Sequence, residues 1–477
     1  MNISQLLSNI DGELVGSDNF YLINNFNGKF TFLNDANSGD IVIRHWINED
    51  GVKIAYNKKV ACLITQNPKD GALEVAEKLK FPLIITDKIE LANAYALSYT
   101  IEKFSPNSTN IVITGTNGKS TTSHLIYHIL KNADFNVLTN TDSESEFNTL
   151  IDPMVSKLIF DKSQSTSLDY LVIEVSEVQG WLGKLMKNHA ALMSGAVKPK
   201  VAVITNIAMD HIGLVNSINE VYCEINEVAK TMGDDICILN YNDKLVRKLN
   251  ADNPFYISMF KLDKDNAVYF DNDAIFYKDV VILTIDELPF TSNHFIQNIL
   301  SAIACCINLN VAIDKIAEGV KSYKALNRRF SKLNDEPLIY DDFAHNPDGI
   351  KATISETLKL LKDNQTLYVV CAIRGSRGLE INKLNVEALV DVMDDRIRLY
   401  LSSSNDVVND LNYVKDFEKT IFLDTLDDNN INYVHFDNLK DCLSEVYNIA
   451  LKDDIILLIG AQGMDPAESI LKDIIKI

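Results

Sequence analysis

The 477-residue sequence is short of basic charge. Lys and Arg number 45 against 66 Asp and Glu, which gives a formal net charge of −21. Nucleic-acid-binding proteins present basic patches to phosphate groups, so this acidic balance argues against that class. Any anionic ligand must therefore be held by local groups.

Long apolar runs and paired cysteines are also missing. Apolar stretches such as Ile455 to Ile459 are far shorter than the roughly 20 residues of a bilayer-spanning helix. The opening MNISQLLSNIDGEL has acids and no basic segment before an apolar one, unlike a signal peptide. Seven cysteines without a CxxC pair predict reduced packing residues. We therefore expect a cytoplasmic protein without membrane insertion and, because no coiled-coil heptad is evident, a monomer.

The composition, 47% hydrophobic and 23% charged, is that of a globular protein, and the length suits three domains. Short β-rich runs alternate with helical patterns, which predicts an α/β fold with parallel sheets covered by helices. Predicted strands lie at 38–43, 60–66, 81–87, 111–115, 170–176, 201–207, 236–242, 338–343, 366–373, 396–403, 431–437 and 454–461. With a polar linker at 104–110 and a break near 310–330, the predicted domains are 1–105, 106–325 and 326–477.

The segment ITGTNGKSTTSHLIYHIL (113–130) reads as a strand, a glycine loop and an apolar-periodic helix. Such a loop cradles phosphate, because glycines let backbone N–H groups converge and the helix N-terminus adds positive potential. A lysine supplies a point charge, and a hydroxyl can reach Mg²⁺. The spacing departs from the strict Walker pattern, since Ile113 takes the place of its first glycine. The candidate nucleotide-binding residues are Gly115, Thr116, Asn117, Gly118, Lys119, Ser120 and Thr121.

This loop resembles that of the Mur ligase family, ATP-dependent amide ligases whose central domain carries GTNGK[ST]T. The resemblance implies a small N-terminal α/β domain, a central P-loop ATPase-like domain and a C-terminal Rossmann-like domain, with ATP and Mg²⁺ as cofactors. VIEVSEVQGW (172–181) is similar to the family segment whose glutamate binds magnesium, which implicates Glu174. A carboxylate at the carboxyl end of a strand beside the phosphate loop suits a hard cation. A solvated strand-end acid is the alternative.

VITNIAMDHIGLVNS (203–217) resembles the family's TNI..DH segment, and His211 matches the histidine that joins a second metal. Many relatives place a carbamylated, metal-bridging lysine eight residues after the serine of this segment. Here that position is Ile225, and the nearest following lysine is Lys230. Glu224 or Glu227 can supply an oxygen instead, although a solvated helix face also accounts for both.

SNHFIQNILSAIAC (292–305) resembles the family helix that touches adenine and ribose, which implicates His294 and Asn298. On its own the segment reads as an amphipathic helix with a polar stripe. LNRRFSKL (326–333) resembles the GRFE hinge, with Arg329 in the arginine position and Arg328 in place of glycine. IYDDFAHNPDGI (339–350) resembles DYAHNP and implicates Asp342 and His345.

The last domain departs most from bacterial relatives. SSSNDVV (402–408) and GAQGMDPAES (460–469) stand where those relatives carry the DNPR and GKGHE motifs. The arginine of DNPR, which would pair with a second substrate carboxylate, is absent, and this argues against diaminopimelate as the amino-acid substrate. In CAIRGSRGLEIN (371–382), Arg374 and Arg377 can hold phosphate or carboxylate, or belong to a solvated loop. These C-terminal segments resemble those of the archaeal branch of the family, the pseudomurein peptide ligases.

The resemblance implies an enzyme that adds a free amino acid to a nucleotide-linked (UDP) peptide precursor through an acyl phosphate, releasing ADP and phosphate. It assigns catalysis to Lys119, Glu174 and His211, and the metal to Ser120, Glu174 and His211. Folylpolyglutamate or cyanophycin synthetases of the same superfamily are alternatives, although a separate domain at 1–105 favours the nucleotide-linked branch. A catalytically inactive ATP-binding regulator is the alternative from another class.

Overall fold

The computed structural model describes residues 3–16, 26–141, 150, 152–181, 184–210 and 214–475. The chain forms two compact units, one of Met1–Ile207 with Ser217–Tyr323 and one of Ala208–Asn216 with Lys324–Ile477. In the described ranges, no helix is long and apolar enough to cross a bilayer. All seven cysteines are free thiols, and all but Cys223 are buried.

A five-stranded sheet organises the N-terminal region. Its order is β1-β5-β4-β3-β2, and every pair except β1–β5 is parallel. Strands β3, β4 and β5 match the predicted runs, whereas the short β1 and β2 have no sequence signal that our reading found. The strands are β1 Gly12–Val15, β2 Phe30–Thr31, β3 Ile41–Ile47, β4 Cys62–Pro68 and β5 Leu83–Thr86. The helices are α1 Ile3–Asn9, α2 Glu49–Asn57, α3 Ala72–Leu79 and α4 Ile89–Phe104.

A nine-stranded sheet follows, in the order β16-β15-β14-β13-β12-β11-β6-β8-β7. The predicted linker is shorter than expected, because helix α4 ends at Phe104 and β6 begins at Thr109. The strands are β6 Thr109–Thr114, β7 Val137–Thr139, β8 Tyr170–Glu174, β9 Gly180–Trp181, β10 Lys184–Leu185, β11 Val201–Ile204, β12 Ile236–Asn240, β13 Asn253–Ser258, β14 Ala267–Asp271, β15 Ala274–Tyr277 and β16 Val280–Thr284, with β9 and β10 as a separate hairpin. The helices are α5 Lys119–Asn132, α6 Met154–Ser163, α7 His189–Val197, α8 Ile218–Thr231, α9 Asn293–Asn308 and α10 Ile313–Lys321.

Strands β13 to β16 are absent from the sequence prediction. Strands β15 and β16 are antiparallel additions at one edge of a largely parallel sheet. Their turns pass through Asn272–Asp273 and Lys278–Asp279, all four with positive φ, as two-residue hairpin loops require. The hairpins extend the sheet without changing the edge at which the predicted site residues lie.

The second unit contains a six-stranded sheet of order β17-β18-β22-β19-β20-β21. Five strands are parallel, and β17 joins as an antiparallel edge. The strands are β17 Arg329–Asp335, β18 Leu338–Asp342, β19 Leu367–Ala372, β20 Ile397–Ser402, β21 Tyr433–Phe436 and β22 Ile455–Ile459. The helices are α11 Pro347–Leu360, α12 Leu379–Asp391, α13 Asp416–Asp428, α14 Leu439–Ile449 and α15 Ala467–Ile475. The predicted α/β class with parallel sheets is confirmed.

The middle of the nine-stranded sheet sets the position of the candidate site. Strand β6 lies between β11 and β8 and is parallel to both, with Ile113 opposite Val203 on one side and Glu174 on the other. All three strands are buried apolar runs, typical of a sheet covered on both faces. Their carboxyl ends therefore meet at one edge, where ligands of open α/β sheets bind.

Candidate active site

A glycine turn joins strand β6 to helix α5. The φ angles of Gly115 and Gly118 are 121° and 82°, in the region that favours glycine. A Cβ on Gly115 would lie 2.3 Å from Thr205 Oγ1, and a Cβ on Gly118 would lie 2.3 Å from Asn298 Oδ1. Both positions need glycine for backbone conformation and for space. The N–H groups of the first helical turn, which have no carbonyl partner within the helix, begin directly after Gly118.

The segment after strand β11 holds this turn in place. Asn117 N–H donates to Asn206 Oδ1 at 2.9 Å, and Asn206 Nδ2 returns a hydrogen bond to the Asn117 carbonyl at 2.8 Å. Thr116 N–H donates to the Asn206 carbonyl at 3.0 Å, and Thr205 Oγ1 donates to the Asn117 carbonyl at 2.7 Å. The TNI sequence thus braces the turn, a role that its match to a metal-binding segment did not suggest.

Lys119 lies across the turn that precedes it. Its Nζ donates to the carbonyls of Gly115 at 2.7 Å and Thr116 at 2.9 Å, and to Glu177 Oε2 at 2.7 Å. The Glu177 side chain is 1% exposed and that of Lys119 is 15% exposed. Our reading of the sequence missed Glu177, which follows Glu174 by three residues in VIEVSEVQGW. The signal in the sequence that could have indicated Glu177 is its position close to Glu174.

Glu174 ends strand β8 inside a cluster of oxygen-bearing side chains. Its carboxylate accepts from Ser120 Oγ and from Thr141 Oγ1, each at 3.1 Å. Asn140 holds the backbone of Glu174 from both sides, accepting from its N–H at 2.8 Å and donating to its carbonyl at 3.0 Å. Because Glu174 is 3% exposed, its carboxylate is not a solvated strand-end acid.

The Ser120 hydroxyl and the Glu174 carboxylate fit a hard divalent cation. Both are oxygen donors, the ligands that Mg²⁺ takes in combination with water and phosphate. Among the described residues, no group of three or more His, Cys, Asp or Glu side chains is placed to hold a metal ion by itself. The fit is thus to a cation that enters with phosphate. His211, the predicted third ligand, lies outside the described residues.

The residues proposed to replace the missing lysine have other partners. Ile225 is fully buried in helix α8. Glu224 accepts from the Asn188 N–H at 2.8 Å, and burial raises the pKa of its carboxyl. Glu227 forms an ion pair with Lys230 at 2.7 Å on the helix surface. The Glu224 contact fits a structural role, and the Glu227 contact fits a residue of a solvated helix face.

Helix α9 comes to the phosphate loop through Asn298, whose side chain fills the space over Gly118. A second contact runs from Gln297 Oε1 to Asn240 Nδ2 at 2.7 Å, and Asn240 donates in turn to the Thr205 carbonyl at 2.9 Å. His294 lies in the first turn of the helix, with its ring 4.5 Å from that of Phe295. The predicted pair therefore shares one helix, and Asn298 lies at the loop.

Arg329, Asp342 and His345 lie in the second unit. Asp342 ends strand β18 and accepts from Ala344 N–H at 2.9 Å and Thr353 Oγ1 at 3.1 Å. Burial raises the pKa of Asp342, and Arg329 opposes this effect. The Arg329 guanidinium lies 4.9 Å from the centre of the Phe343 ring. These residues surround one strand end, as the motif predicts.

His345 takes part in a cluster with Asp210 and Arg374. His345 Nδ1 lies 2.7 Å from the Phe343 carbonyl, and Nε2 lies 3.4 Å from Asp210 Oδ2. Arg374 Nη1 donates to Asp210 Oδ1 at 3.4 Å. Burial and, after it, Arg374 lower the pKa of His345. Asp210 belongs to the segment 208–216, which is part of the second unit although both neighbouring segments belong to the first.

The two arginines after strand β19 differ. Arg377 donates to the Leu411 carbonyl and to Asn412 Oδ1, both at 3.3 Å, within an exposed loop. Arg374 is largely buried, and within the part of the chain that the structure describes its Nε has no hydrogen-bond partner. Of the two, Arg374 is the better candidate for holding an anion, because it has an unused buried donor.

Arg328 has a structural role that was also missed. It has a φ of 59°, which explains why glycine suits this position in the family motif. Its guanidinium forms an ion pair with Asp465 and donates to the Gly460 carbonyl at 2.6 Å, and its Nε lies 3.3 Å from Asp341 Oδ2. Burial raises the pKa of Asp341 to about 6, and Arg328 opposes that shift. Arg328 thus ties the start of the second unit to the loop after β22.

Comparison with known proteins gives the family. The model of the Mur ligase middle domain matches residues 113–306, and that of the Mur ligase glutamate ligase domain matches residues 328–462. A UDP-N-acetylmuramate–L-alanine ligase of Brachyspira hyodysenteriae is 26% identical over 443 residues, covering 87% of this chain and 86% of the relative.

Solved structures show the same fold. MurF from Acinetobacter baumannii has a TM-score of 0.71 at 16% identity, with 99% of this chain and 98% of that chain covered. A pseudomurein peptide ligase type C from Methanothermus fervidus has a TM-score of 0.59 at 19% identity, with 91% and 95% covered. Since the two matched domain models together span most of the sequence, the chain belongs to the Mur ligase family and is an ATP-dependent enzyme that forms amide bonds.

Proposed function

We propose that the enzyme adds an amino acid to a nucleotide-linked (UDP) peptide precursor of a cell-wall polymer, and that this polymer is pseudomurein. The observation that carries the ligase chemistry is the braced phosphate loop, with Lys119 across it and the Ser120–Glu174 oxygen pair beside it. Similarity to a pseudomurein peptide ligase and the absence of the DNPR text support the pseudomurein assignment.

The phosphate loop accounts for activation of the acceptor carboxylate. Lys119 and the first-turn N–H groups of helix α5 bind the triphosphate and stabilise the charge that develops during phosphoryl transfer. Ser120 and Glu174, with His211 as the proposed third ligand, hold Mg²⁺, which supplies neutralisation between the two anionic reactants. Transfer of the γ-phosphoryl group to the carboxylate yields an acyl phosphate, and the amine then displaces phosphate.

The remaining predicted residues have proposed roles in substrate binding. His294 and Asn298 contact the adenosine, and Arg329, Asp342 and His345 are nucleotide ligands of the second unit. Arg374 binds the carboxylate of the incoming amino acid, because its buried Nε–H has no acceptor among the described residues. We propose the roles of precursor binding for residues 1–105, ATP binding for 106–325 and amino-acid binding for 326–477. We also propose that the protein is a cytoplasmic monomer. Light scattering of the purified protein measures its molar mass and so tests the monomeric state.

A second candidate is addition of alanine to UDP-N-acetylmuramate. It is favoured by the 26% identity to an alanine ligase that extends over most of both chains. The two candidates require different acceptors, a peptide carboxylate in the first and a sugar lactyl carboxylate in the second. They are therefore separable by the acceptor alone.

The test is phosphate release from ATP and Mg²⁺ across a matrix of acceptors and single amino acids, with product masses read in parallel. The acceptors are UDP-linked peptides, UDP-N-acetylmuramate, a folate and a cyanophycin primer. We expect stoichiometric phosphate and a mass gain of one residue only with a UDP-linked peptide. Turnover with UDP-N-acetylmuramate and alanine would establish the second candidate, and turnover with a folate or cyanophycin primer would overturn both. ATP binding without turnover in any combination would favour the alternative that the protein is a catalytically inactive ATP-binding regulator.

A further inference from the structure

The guanidinium of Arg374 is anchored through one of its nitrogens. Its Nη1 donates to Asp210 Oδ1 at 3.4 Å and to the His345 carbonyl at 3.5 Å. Its Nε is buried and has no acceptor among the described residues. The N–H of Nε and one N–H of Nη2 lie parallel on one edge of the guanidinium plane, which matches the two oxygens of a carboxylate. Because Nη1 does not belong to that edge, its contacts do not occupy it.

The surroundings of Arg374 hold its backbone and one of its acceptors in place. Asn382 Nδ2 donates to the Arg374 carbonyl at 2.8 Å, and Asn385 Nδ2 donates to the His345 carbonyl at 2.9 Å. The two asparagines lie three residues apart in helix α12 and are 0% and 3% exposed. Arg374 therefore belongs to a buried network and is not a side chain of a solvated loop.

Asp210 supplies negative charge beside Arg374. It is 5% exposed, and its two carboxylate oxygens contact different residues, Oδ1 the Arg374 guanidinium and Oδ2 the His345 ring at 3.4 Å. Ordering a long side chain is a cost of binding, which an arginine that is already anchored avoids. The charges of Asp210 and Arg374 also cancel, so the pair suits a zwitterion, the form of a free amino acid at neutral pH.

We propose that Asp210 is a positioning residue for the incoming amino acid. It holds the Nη1 side of Arg374, so that the edge with Nε and Nη2 receives the α-carboxylate in a bidentate pair. Asp210 acts through Arg374 and does not itself contact the amino acid. The inference rests on the proposed function of Arg374 and adds the residue that orients it. The segment 203–217 then serves two substrates, because Asn206 braces the phosphate loop and Asp210 orients the arginine.

The test is the Kd of L-alanine, L-glutamate and L-lysine, which represent apolar, acidic and basic side chains, for the full-length enzyme with AMPPNP and Mg²⁺. Ligand-detected NMR titration measures each Kd, and the α-amide of each amino acid is the matched ligand without an α-carboxylate. For the amino acid that binds best, we expect Asp210→Ala to raise the Kd about 10-fold. Asp210→Asn keeps an acceptor without the charge and should raise it about 3-fold.

Two controls accompany these variants. The Kd of the α-amide should be the same in Asp210→Ala and in the wild type, because the α-amide has no α-carboxylate for Arg374 to bind. Asp391→Ala removes an exposed acid of helix α12 that pairs with Lys351 and should bind all ligands as the wild type does. Unchanged amino-acid binding by Asp210→Ala would overturn the proposal. Tighter binding by both Asp210 variants would also overturn it, since Asp210 would then only repel the carboxylate.

A double-mutant cycle tests whether Asp210 acts through Arg374. Lysine lacks the two-donor edge, so Arg374→Lys should itself raise the Kd about 10-fold. Adding Asp210→Ala to it should raise the Kd by less than about 2-fold more, because the two residues act as one unit. Losses that multiply would mean that Asp210 contacts the amino acid directly, and they would contradict a positioning role.

The wild-type enzyme gives a further measurement that needs no folded Asp210 variant. In spectra of ¹⁵N-arginine-labelled protein, with Arg374 assigned by its loss in Arg374→Lys, we expect separate Nη1 proton signals before any amino acid is added. Rotationally averaged signals would contradict anchoring of Nη1. Addition of an amino acid should shift the Nε–H signal. If none of the three amino acids shifts it, the proposed function of Arg374 itself is refuted, whatever the state of Nη1.

Discussion

Two strand–loop–helix turns of this chain look alike in sequence and differ in what lies at their centre. Strand β6 leads through Gly115 and Gly118 into helix α5, and β19 leads through Gly375 and Gly378 into helix α12. Both turns follow a buried parallel strand and end at a helix N-terminus with a glycine of positive φ, the arrangement that binds anions.

In the second turn the anion is part of the protein. The Glu418 carboxylate accepts from the N–H groups of Ser376, Arg377 and Gly378 at 2.9, 2.8 and 2.6 Å, and it is fully buried. In the first turn the acidic residue, Glu177, accepts a hydrogen bond from the Lys119 ammonium at 2.7 Å. The comparison teaches that a glycine turn before a helix becomes a ligand site only where no internal carboxylate takes its N–H groups.

The largest expected effect is that of Lys119→Ala. Removal of the charge that stabilises phosphoryl transfer should lower kcat/KM by at least about 1000-fold, measured as substrate-dependent phosphate release. The variant should also lose about 1–3 kcal/mol of stability, because the buried Glu177 carboxylate loses the hydrogen bond from the Lys119 ammonium, and Glu177→Gln added to it should restore part of the Tm. Lys131→Ala, an exposed lysine on the same helix, is the control. An active Lys119→Ala enzyme would remove the distinction between the two turns.

Glu418→Gln tests the second turn. Replacing the carboxylate weakens charge-assisted hydrogen bonds from three consecutive N–H groups, so the free energy of unfolding should fall by about 2–3 kcal/mol. ATP affinity should stay at the wild-type value, since this turn binds no nucleotide in our account. Thermal melting and calorimetry measure the two quantities, and Asp424→Asn, exposed on the same helix, is the matched control. A loss of ATP affinity without a loss of stability would show that the second turn is a ligand site.

The smallest effects compare the two glycines. Gly118→Ala brings a Cβ to 2.3 Å from Asn298 Oδ1 and should shift the loop; we expect about 10-fold weaker ATP binding, roughly 1.4 kcal/mol. Gly378→Ala meets no atom within 4 Å, so its expected effect is a loss of about 1–3 kcal/mol of stability from the backbone conformation at φ 94° and ψ 177°. ATP titrations and melting curves of both variants measure this contrast. Equal effects on ATP binding would contradict it.

Much of the fold was predictable because its strands are short apolar runs between helical patterns. Strands β3 to β6, β8, β11, β12 and β18 to β22 lie at the predicted places. Strand β17 was missed because its RFSKLND sequence is polar and pairs at an edge, where one face is solvated. The hairpins of β14 to β16 were missed because their turns use Asn, Asp and Lys at positive φ, without the Asn-Gly or Asp-Gly signal.

The candidate site was predictable in part. The sequence indicated Lys119, Ser120 and Glu174, which the structure brings together, because their motifs end adjacent parallel strands. It did not indicate the roles of Glu177 or Arg328, because their contacts do not follow from motif spacing. The Glu177 carboxylate contacts Lys119, 58 residues away in sequence, and Arg328 forms an ion pair with Asp465. The brace from Asn206 to Asn117 is another contact between distant segments.

By itself, the sequence determined the strands that lead to the site, the glycine turn and the chemical groups that the turn offers to a phosphate, because these depend on local periodicity and on backbone conformations that only a few residue types adopt. Only the tertiary structure decided which carboxylate lies at each turn. Glu177 and Glu418 are both acids near a glycine loop, and the packing of β8 beside β6 and of helix α13 beside α12 places one on a lysine and the other on a helix N-terminus. Side-chain partners across a sheet or between helices depend on strand order and packing, which no local pattern encodes.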